Sequence, residues 1–121
     1  MLIEFSVKNY KSLWKPQVLS MVAGGAIKDL QGLNTFEAPI KGELTLLKSA
    51  VMYGPNGAGK SNLISALDFM RRFVLDSSRL HQEGEAIQRY PFRLNSQGIS
   101  EDTEFEMFFI QGDVRYQYGF A

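Results

Sequence analysis

Apolar and polar residues alternate one by one at the start of the chain. Ile3, Phe5 and Val7 fall on one side, and polar residues separate them. A period of two with β-branched and aromatic residues is typical of a strand with one buried face. The pattern predicts such a strand over residues 2–8 and a second strand, antiparallel to it, over residues 17–22.

The middle of the chain changes its pattern twice. Residues 24–42 have no period and contain four glycines and one proline, which predicts an irregular loop. Residues 44–53 are mostly apolar, and their second half does not alternate, which is typical of a strand buried on both faces of a parallel sheet. From Lys60 the apolar spacing becomes helical, and the predicted helix ends near Leu75. Its apolar stripe consists of Leu63, Leu67, Met70 and Val74.

The last third of the chain predicts a hairpin. Residues 77–89 are polar, with a short helix over residues 80–87 as one interpretation, and residues 95–102 predict a loop. Residues 103–111 and 114–120 are rich in aromatic residues and flank a Gly-Asp pair. Because a two-residue connection that begins with glycine suits a tight turn between strands, these segments predict a β-hairpin.

Composition limits the class of protein. A chain of 121 residues forms at most one domain, which buries about 65% of its unfolded-chain surface. Lys and Arg number 13, as do Asp and Glu, so the charge does not favour DNA as a partner. The absence of cysteine excludes disulfides and thiolate metal sites. Without a long apolar run or a secretory signal, the sequence predicts no membrane partner and a cytoplasmic location.

One octapeptide carries the chemistry, because it matches the pattern G-x-x-x-x-G-K-[ST]. It reads Gly54-Pro55-Asn56-Gly57-Ala58-Gly59-Lys60-Ser61. Phosphates need hydrogen-bond donors without bulk, and glycines let backbone N–H groups converge on them. A helix that begins at Lys60 adds unpaired N–H groups and the positive end of its dipole. We therefore expect Lys60, the catalytic candidate, to reach the β- and γ-phosphates, Ser61 to bind Mg²⁺, and Asn56 to face the γ-phosphate.

Hydrolysis needs more than this loop, because a second carboxylate must hold the metal and another group must orient water. Asp76 follows an apolar run, but that run continues the predicted helix. Asp113 lies in the predicted hairpin turn. Neither position follows a buried strand, so the sequence identifies no Walker B carboxylate.

Three segments together resemble the start of an AAA-type, ABC-like ATPase. They are residues 1–12, which end in Asn9-Tyr10-Lys11-Ser12, residues 19–21, and the loop with its flanks, residues 53–62. The similarity is to the RecF/SMC-like branch, which includes ATP-binding proteins of restriction and phage-defence loci. In that branch a strand pair ending in Asn-aromatic-basic-Ser precedes a Gly-Pro-Asn-Gly-x-Gly-Lys-Ser-Asn loop, and a helix and antiparallel strands follow.

The resemblance implies ligands and partners. The ligands are ATP and Mg²⁺, with Asn62 next to the loop and Lys11 on the base and α-phosphate side. The implied partners are a second identical head and a nuclease or toxin effector. Relatives are longer and carry a signature motif, an Asp-Glu pair and a switch histidine, none of which is identified in residues 76–121.

We therefore expect one unit over residues 1–121, the N-terminal lobe of an ATPase head. Its parts are a strand pair, loop and phosphate-loop strand (residues 1–53), the phosphate loop and helix (54–75), and a linker with the hairpin (76–121). Two further residues receive structural interpretations: Trp14 caps the strand pair, and His81 lies on the surface.

The sequence thus predicts an α/β fold. Its core is the strand, phosphate loop and helix of P-loop nucleoside triphosphate hydrolases, in incomplete form, with an antiparallel β subdomain. The leading function is ATP binding through a Walker A loop, with hydrolysis in the intact ATPase switching a dimer or effector. Two alternatives stay open: a truncated, non-catalytic nucleotide-binding or protein-interaction module, and a small P-loop kinase. Kinases usually open with the phosphate-loop strand, whereas here residues 1–53 precede the loop.

Overall fold

A computed structural model describes residues 1–25, 32–80 and 87–121. Within these ranges the chain forms six strands and two helices. The strands are β1 (Leu2–Lys8), β2 (Gln17–Ser20), β3 (Thr35–Glu37), β4 (Thr45–Leu47), β5 (Glu104–Gln111) and β6 (Val114–Phe120). The helices are α1 (Lys60–Leu80) and α2 (Ser96–Ser100). The fold is mixed α/β, and every strand pair formed by the described residues is antiparallel.

The larger sheet has four strands in the order β2-β1-β5-β6. Strand β1 has the predicted bounds and alternates between half-buried and buried residues, as its sequence pattern requires. Strand β2 is antiparallel to it, as predicted, but ends at Ser20. The predicted hairpin is confirmed as β5 and β6, and Gly112 in its turn has a φ of 64°, which suits glycine at the first turn position.

Helix α1 covers one face of this sheet. Its buried residues there are Ala66 and Met70, which pack against Phe5 and Phe105 of β1 and β5. The predicted stripe is wrong at its end, because Val74 is 45% exposed and its neighbour Phe73 packs against Phe120 of β6 instead. The helix also continues past Leu75 to Leu80, since residues 76–80 contain no glycine or proline to stop it.

A second apolar cluster lies under the small sheet. Strands β3 and β4 pair with each other, and Leu46 of β4 packs with Ala38, Ile3 and Ile110. Strand β3 lies within the stretch that the sequence predicted to be irregular, so that prediction is wrong at Thr35–Glu37. Three residues are too few to show a period of two.

The prediction of a buried parallel strand over residues 44–53 is wrong. Only Thr45–Leu47 form a strand, which is antiparallel to β3, and residues 48–55 form none. The side chains of Val51 and Tyr53 are 85% and 92% exposed. A strand buried on both faces needs neighbours on both sides, and the described part of the chain places no strand beside residues 48–55. The model therefore does not confirm the parallel P-loop core.

The segment before β5 differs from its sequence prediction. Residues 96–100 form α2 instead of a loop, and Asn95 caps it by accepting a hydrogen bond from the backbone N–H of Gly98 at 2.6 Å. The interpretation of a helix over residues 80–87 and the position of His81 lie largely outside the described residues. In the described ranges, no helix combines the length and the apolar character that crossing a bilayer requires.

The sheet face opposite α1 carries charged pairs. Lys8 donates a hydrogen bond to Glu104 at 2.7 Å and lies 3.6 Å from a carboxylate oxygen of Glu101. The hydrogen bond to Glu104 is the main cause that raises the pKa of Lys8, and the charges of both carboxylates add to it. Because a raised lysine pKa favours the charged form, this interaction is present at neutral pH and is lost only as the pH rises through the raised pKa.

Candidate functional site

The octapeptide connects residues 48–53 to the start of α1, and its three glycines have backbone conformations that other residues rarely adopt. The φ angles of Gly54, Gly57 and Gly59 are 151°, 85° and 94°. A Cβ atom at Gly57 would meet nothing within 4 Å, whereas one at Gly59 would lie 2.8 Å from Cδ2 of Leu13. Gly59 is therefore required both by the backbone conformation and by the closeness of Leu13.

The Lys60 side chain folds back over the loop. Its ammonium donates hydrogen bonds to the carbonyls of Gly54 at 2.7 Å and Pro55 at 2.8 Å. A backbone bond from Ala58 to Pro55, 3.2 Å long, closes the turn between them. The loop is thus a compact turn whose first two carbonyls are bridged by the ammonium of Lys60.

Several backbone donors of the loop are left for a ligand. The first helical bond of α1 runs from the N–H of Leu63 to the carbonyl of Gly59, 3.0 Å away. No described residue accepts a hydrogen bond from the N–H groups of Gly57, Gly59, Lys60 or Ser61. Together with the positive end of the dipole of α1, these donors make a region that attracts anions.

The turn after β1 packs against the first turns of α1. Ser12 Oγ accepts a hydrogen bond from Nδ2 of Asn62 at 2.6 Å, and the ammonium of Lys11 donates to Ser65 Oγ at 2.6 Å. The same ammonium lies 5.2 and 5.7 Å from the ring centroids of Tyr10 and Tyr90. Two residues singled out in the sequence, Lys11 and Asn62, therefore lie at the same end of α1.

A comparison with protein families identifies the family of this chain. Residues 49–121 match the model of an AAA domain family described as AbiEii toxin-like, of a type IV TA (toxin–antitoxin) system. The match covers more than half of the chain. The chain belongs to this AAA domain family. No curated protein and no solved structure matches it.

Membership in the AAA domain family identifies a nucleotide-binding, ATPase-like module. The matched range begins just before the loop and includes α1, α2, β5 and β6. Strands β1 and β2 and the turn between them lie outside it. The resemblance of that part to the RecF/SMC-like branch rests on its sequence alone.

The structure separates the two carboxylate candidates of this AAA domain from the loop. Asp76 lies within α1, more than four turns beyond Lys60, and Asp113 lies in the hairpin turn. Asn56 and Ser61 are exposed at the loop and the helix start. Trp14 packs against Phe92, which lies outside the strands, with 5.9 Å between ring centroids. Among the described residues, no cluster of three or more His, Cys, Asp or Glu side chains could hold a metal ion.

Sequence reasoning missed two residues of this AAA domain that contact the candidate Lys11. They are Ser65, which accepts a hydrogen bond from its ammonium, and Tyr90, whose ring lies near that ammonium. Ser12, which contacts Asn62, belongs to the Asn-Tyr-Lys-Ser segment that the sequence already singled out. The contacts of Ser65 and Tyr90 depend on tertiary packing, which a pattern of spacing does not contain.

Gly57 and Gly59 in the loop of the AAA domain allow a matched test of the packing of Leu13 against the loop. We expect Gly57→Ala to lower the free energy of unfolding by about 1 kcal/mol, because alanine disfavours a positive φ. We expect about 2 kcal/mol for Gly59→Ala, because Leu13 must also move. Urea unfolding followed by circular dichroism measures both. Equal losses for the two variants would show that Leu13 does not press against the loop.

Proposed function

We propose that residues 54–62 are a Walker A loop that binds the polyphosphate of Mg-ATP. The observation that carries this proposal is the set of backbone N–H groups at Gly57, Gly59, Lys60 and Ser61 that no described residue uses. They belong to the same loop whose carbonyls bind the ammonium of Lys60, at the start of a long helix. Membership in an AAA domain family, with a match that contains this loop, supports the same function.

Each proposed role follows from the position of the side chain. The ammonium of Lys60 binds two carbonyls of the loop, which supports the proposal that it binds the β- and γ-phosphates. Asn56 is exposed at the loop and is proposed to face the γ-phosphate. Lys11, next to Ser65 in the second turn of α1, is proposed to contact the base and α-phosphate side.

Ser61 fits the metal that such a nucleotide brings. Its hydroxyl is exposed in the first turn of α1, and hard oxygen donors of this kind suit Mg²⁺. When bound, Mg²⁺ neutralises charge on the phosphate oxygens. Ser61 would hold the ion and orient it towards the phosphates.

We propose further that the chain acts as the N-terminal lobe of a RecF/SMC-like ATPase, with residues 1–53, 54–75 and 76–121 as its parts. The resemblance of residues 1–12 supports this branch, and a nuclease or toxin effector is the partner that the branch implies. In this proposal hydrolysis belongs to the intact dimer of heads, because neither Asp76 nor Asp113 lies near the loop among the described residues.

A protein-interaction module is the second candidate, and one observation favours it. Val51 and Tyr53 are 85% and 92% exposed, and they directly precede the loop. Large exposed apolar side chains in an extended segment are typical of surfaces that another protein covers. The two candidates differ in whether the isolated chain binds nucleotide.

Titration calorimetry with a series of ligands tests the proposal. We expect affinity to fall in the order Mg-ATP, Mg-ADP, AMP, by roughly tenfold for each phosphate removed. The reason is that the complex loses the charge-assisted hydrogen bonds of each phosphate that is removed. Inorganic tripolyphosphate should retain most of the affinity. If AMP binds as tightly as Mg-ATP, the loop is not the phosphate site, and if no ligand binds, the interaction module is favoured.

A further inference from the structure

The buried Asn9 side chain joins the end of β1 to the segment before β5. Asn9 is fully buried, and its Nδ2 donates hydrogen bonds to the carbonyls of Gly98 and Glu101, both at 2.8 Å. Its Oδ1 accepts from the N–H of Phe92 at 2.9 Å. Thr103 Oγ1 donates to the Asn9 carbonyl at 2.9 Å. Both ends of the amide are therefore satisfied by one segment, residues 92–103.

The turn that begins at Asn9 is held in a strained shape. The φ angles of Asn9 and Lys11 are 54° and 51°. Asparagine tolerates this left-handed region, but lysine does so at a cost of about 1–2 kcal/mol. Such a conformation persists only where the surroundings determine it. Here the N–H of Lys11 donates to the carbonyl of Tyr90 at 2.6 Å, in addition to the bonds of Asn9.

The opposite side of this turn contacts the candidate phosphate loop. Ser12 Oγ accepts a hydrogen bond from Asn62, and a Cβ atom at Gly59 would lie 2.8 Å from Cδ2 of Leu13. Residues 9–13 therefore stand between residues 92–103 and the start of α1. A change in this turn should therefore affect residues 92–103 or the start of α1, because the turn contacts both.

We propose that Asn9 is a positioning residue for the phosphate loop. It holds the turn of residues 9–13 in the shape that supports Gly59 and Asn62 at the start of α1. The effect on nucleotide affinity rests on the proposed function. The effect on the helix start does not, since it concerns contacts within the chain.

Amide hydrogen exchange of the ligand-free protein tests the positioning role. Asn9→Gly keeps the positive φ without strain and removes the side-chain amide. We expect the amide of Leu63, which is bonded to Gly59, to exchange about tenfold faster, while the amides of β1 keep their rates. The emission of Trp14, the single tryptophan, should shift because its ring packs against Phe92.

A matched variant and a second one complete the experiment. Asn95→Gly removes the same side-chain amide within residues 92–103 and leaves the turn of residues 9–13 unchanged. We expect the Leu63 exchange rate to stay within about twofold of the wild-type rate, since glycine is tolerated as a helix cap. Ser12→Ala alters an exposed side chain at the other end of the connection, and it should speed Leu63 exchange even if Asn9→Gly does not fold.

The outcomes separate this proposal from the proposed function. Unchanged Leu63 exchange in the Asn9 and Ser12 variants would overturn the positioning role, as would an equal rise in Leu63 and β1, which indicates global destabilisation. Calorimetry should also show Mg-ATP affinity reduced about tenfold in Asn9→Gly. If the wild-type chain binds no Mg-ATP, the proposed function fails, and the exchange rates still decide the role of Asn9.

Discussion

Lys60→Ala is expected to weaken Mg-ATP binding roughly 100-fold, because it removes charge-assisted hydrogen bonds to the phosphates. The folded state should keep its stability within about 0.5 kcal/mol, since the ammonium contacts only two carbonyls of an exposed loop. Calorimetric titration measures the affinity, and urea unfolding measures the stability.

Lys48→Ala is the matched control for this change. The ammonium of Lys48 also donates to two loop carbonyls, those of Gly32 at 3.2 Å and Leu33 at 2.7 Å. It makes the same kind of interaction in another part of the chain, so its removal should leave Mg-ATP affinity unchanged. If both variants bind Mg-ATP as the wild type does, Lys60 does not contact the phosphates.

Gly98→Ala should cost about 3 kcal/mol of the free energy of unfolding, at the upper end of the range for overpacking. An added Cβ would lie 2.3 Å from the carbonyl oxygen of Phe92 and 3.0 Å from Oδ1 of Asn95. The oxygen of Phe92 belongs to the backbone, so it cannot rotate away as a side chain would. Urea unfolding measures the loss.

Gly24→Ala provides the comparison for Gly98→Ala. A Cβ at Gly24 would meet nothing within 4 Å, and its φ is not positive, so the change should stay within about 0.5 kcal/mol. Equal stability of the two variants would mean that α2 does not pack against Phe92. The carbonyl of Gly98 would then also be poorly placed for Asn9.

Local patterns predicted the elements whose side chains alternate or repeat over several residues. Strand β1 and the hairpin of β5 and β6 have one face on the core, and that burial leaves a period of two in the sequence. The start of α1 followed from the Lys-Ser pair after a glycine-rich loop. Its end did not, because nothing in residues 76–80 terminates a helix.

Elements that depend on packing against a distant segment of the chain, or that are very short, could not be predicted from local patterns. The apolar run at residues 49–53 specifies burial, but not the strands that would flank it, and Val51 and Tyr53 are exposed in the described chain. Helix α2 is only five residues long, too short for a period, and its one local signal was Asn95 three residues before Gly98.

The same distinction between local and long-range contacts applies to the candidate site. The octapeptide could be read from spacing, since its glycines and Lys60 are local requirements. The bond between Lys11 and Ser65 joins residues 54 positions apart, and those of Asn9 join residues about 90 apart. Such contacts are made by the sheet and helix packing, so only a structure supplies them.

The hydrogen bonds of Lys60 to Gly54 and Pro55 have a consequence for selectivity. An incoming ligand must compete with two amide carbonyls for the ammonium of Lys60. The net gain in binding free energy is therefore the difference between the bond to the ligand and the bonds to the carbonyls, rather than the whole strength of the new bond. A neutral oxygen gains almost nothing by this exchange, whereas an oxygen bearing a full negative charge gains a great deal. In the proposed nucleotide site, the resting bonds of the lysine would therefore favour charged ligands over uncharged ones, whatever their shape.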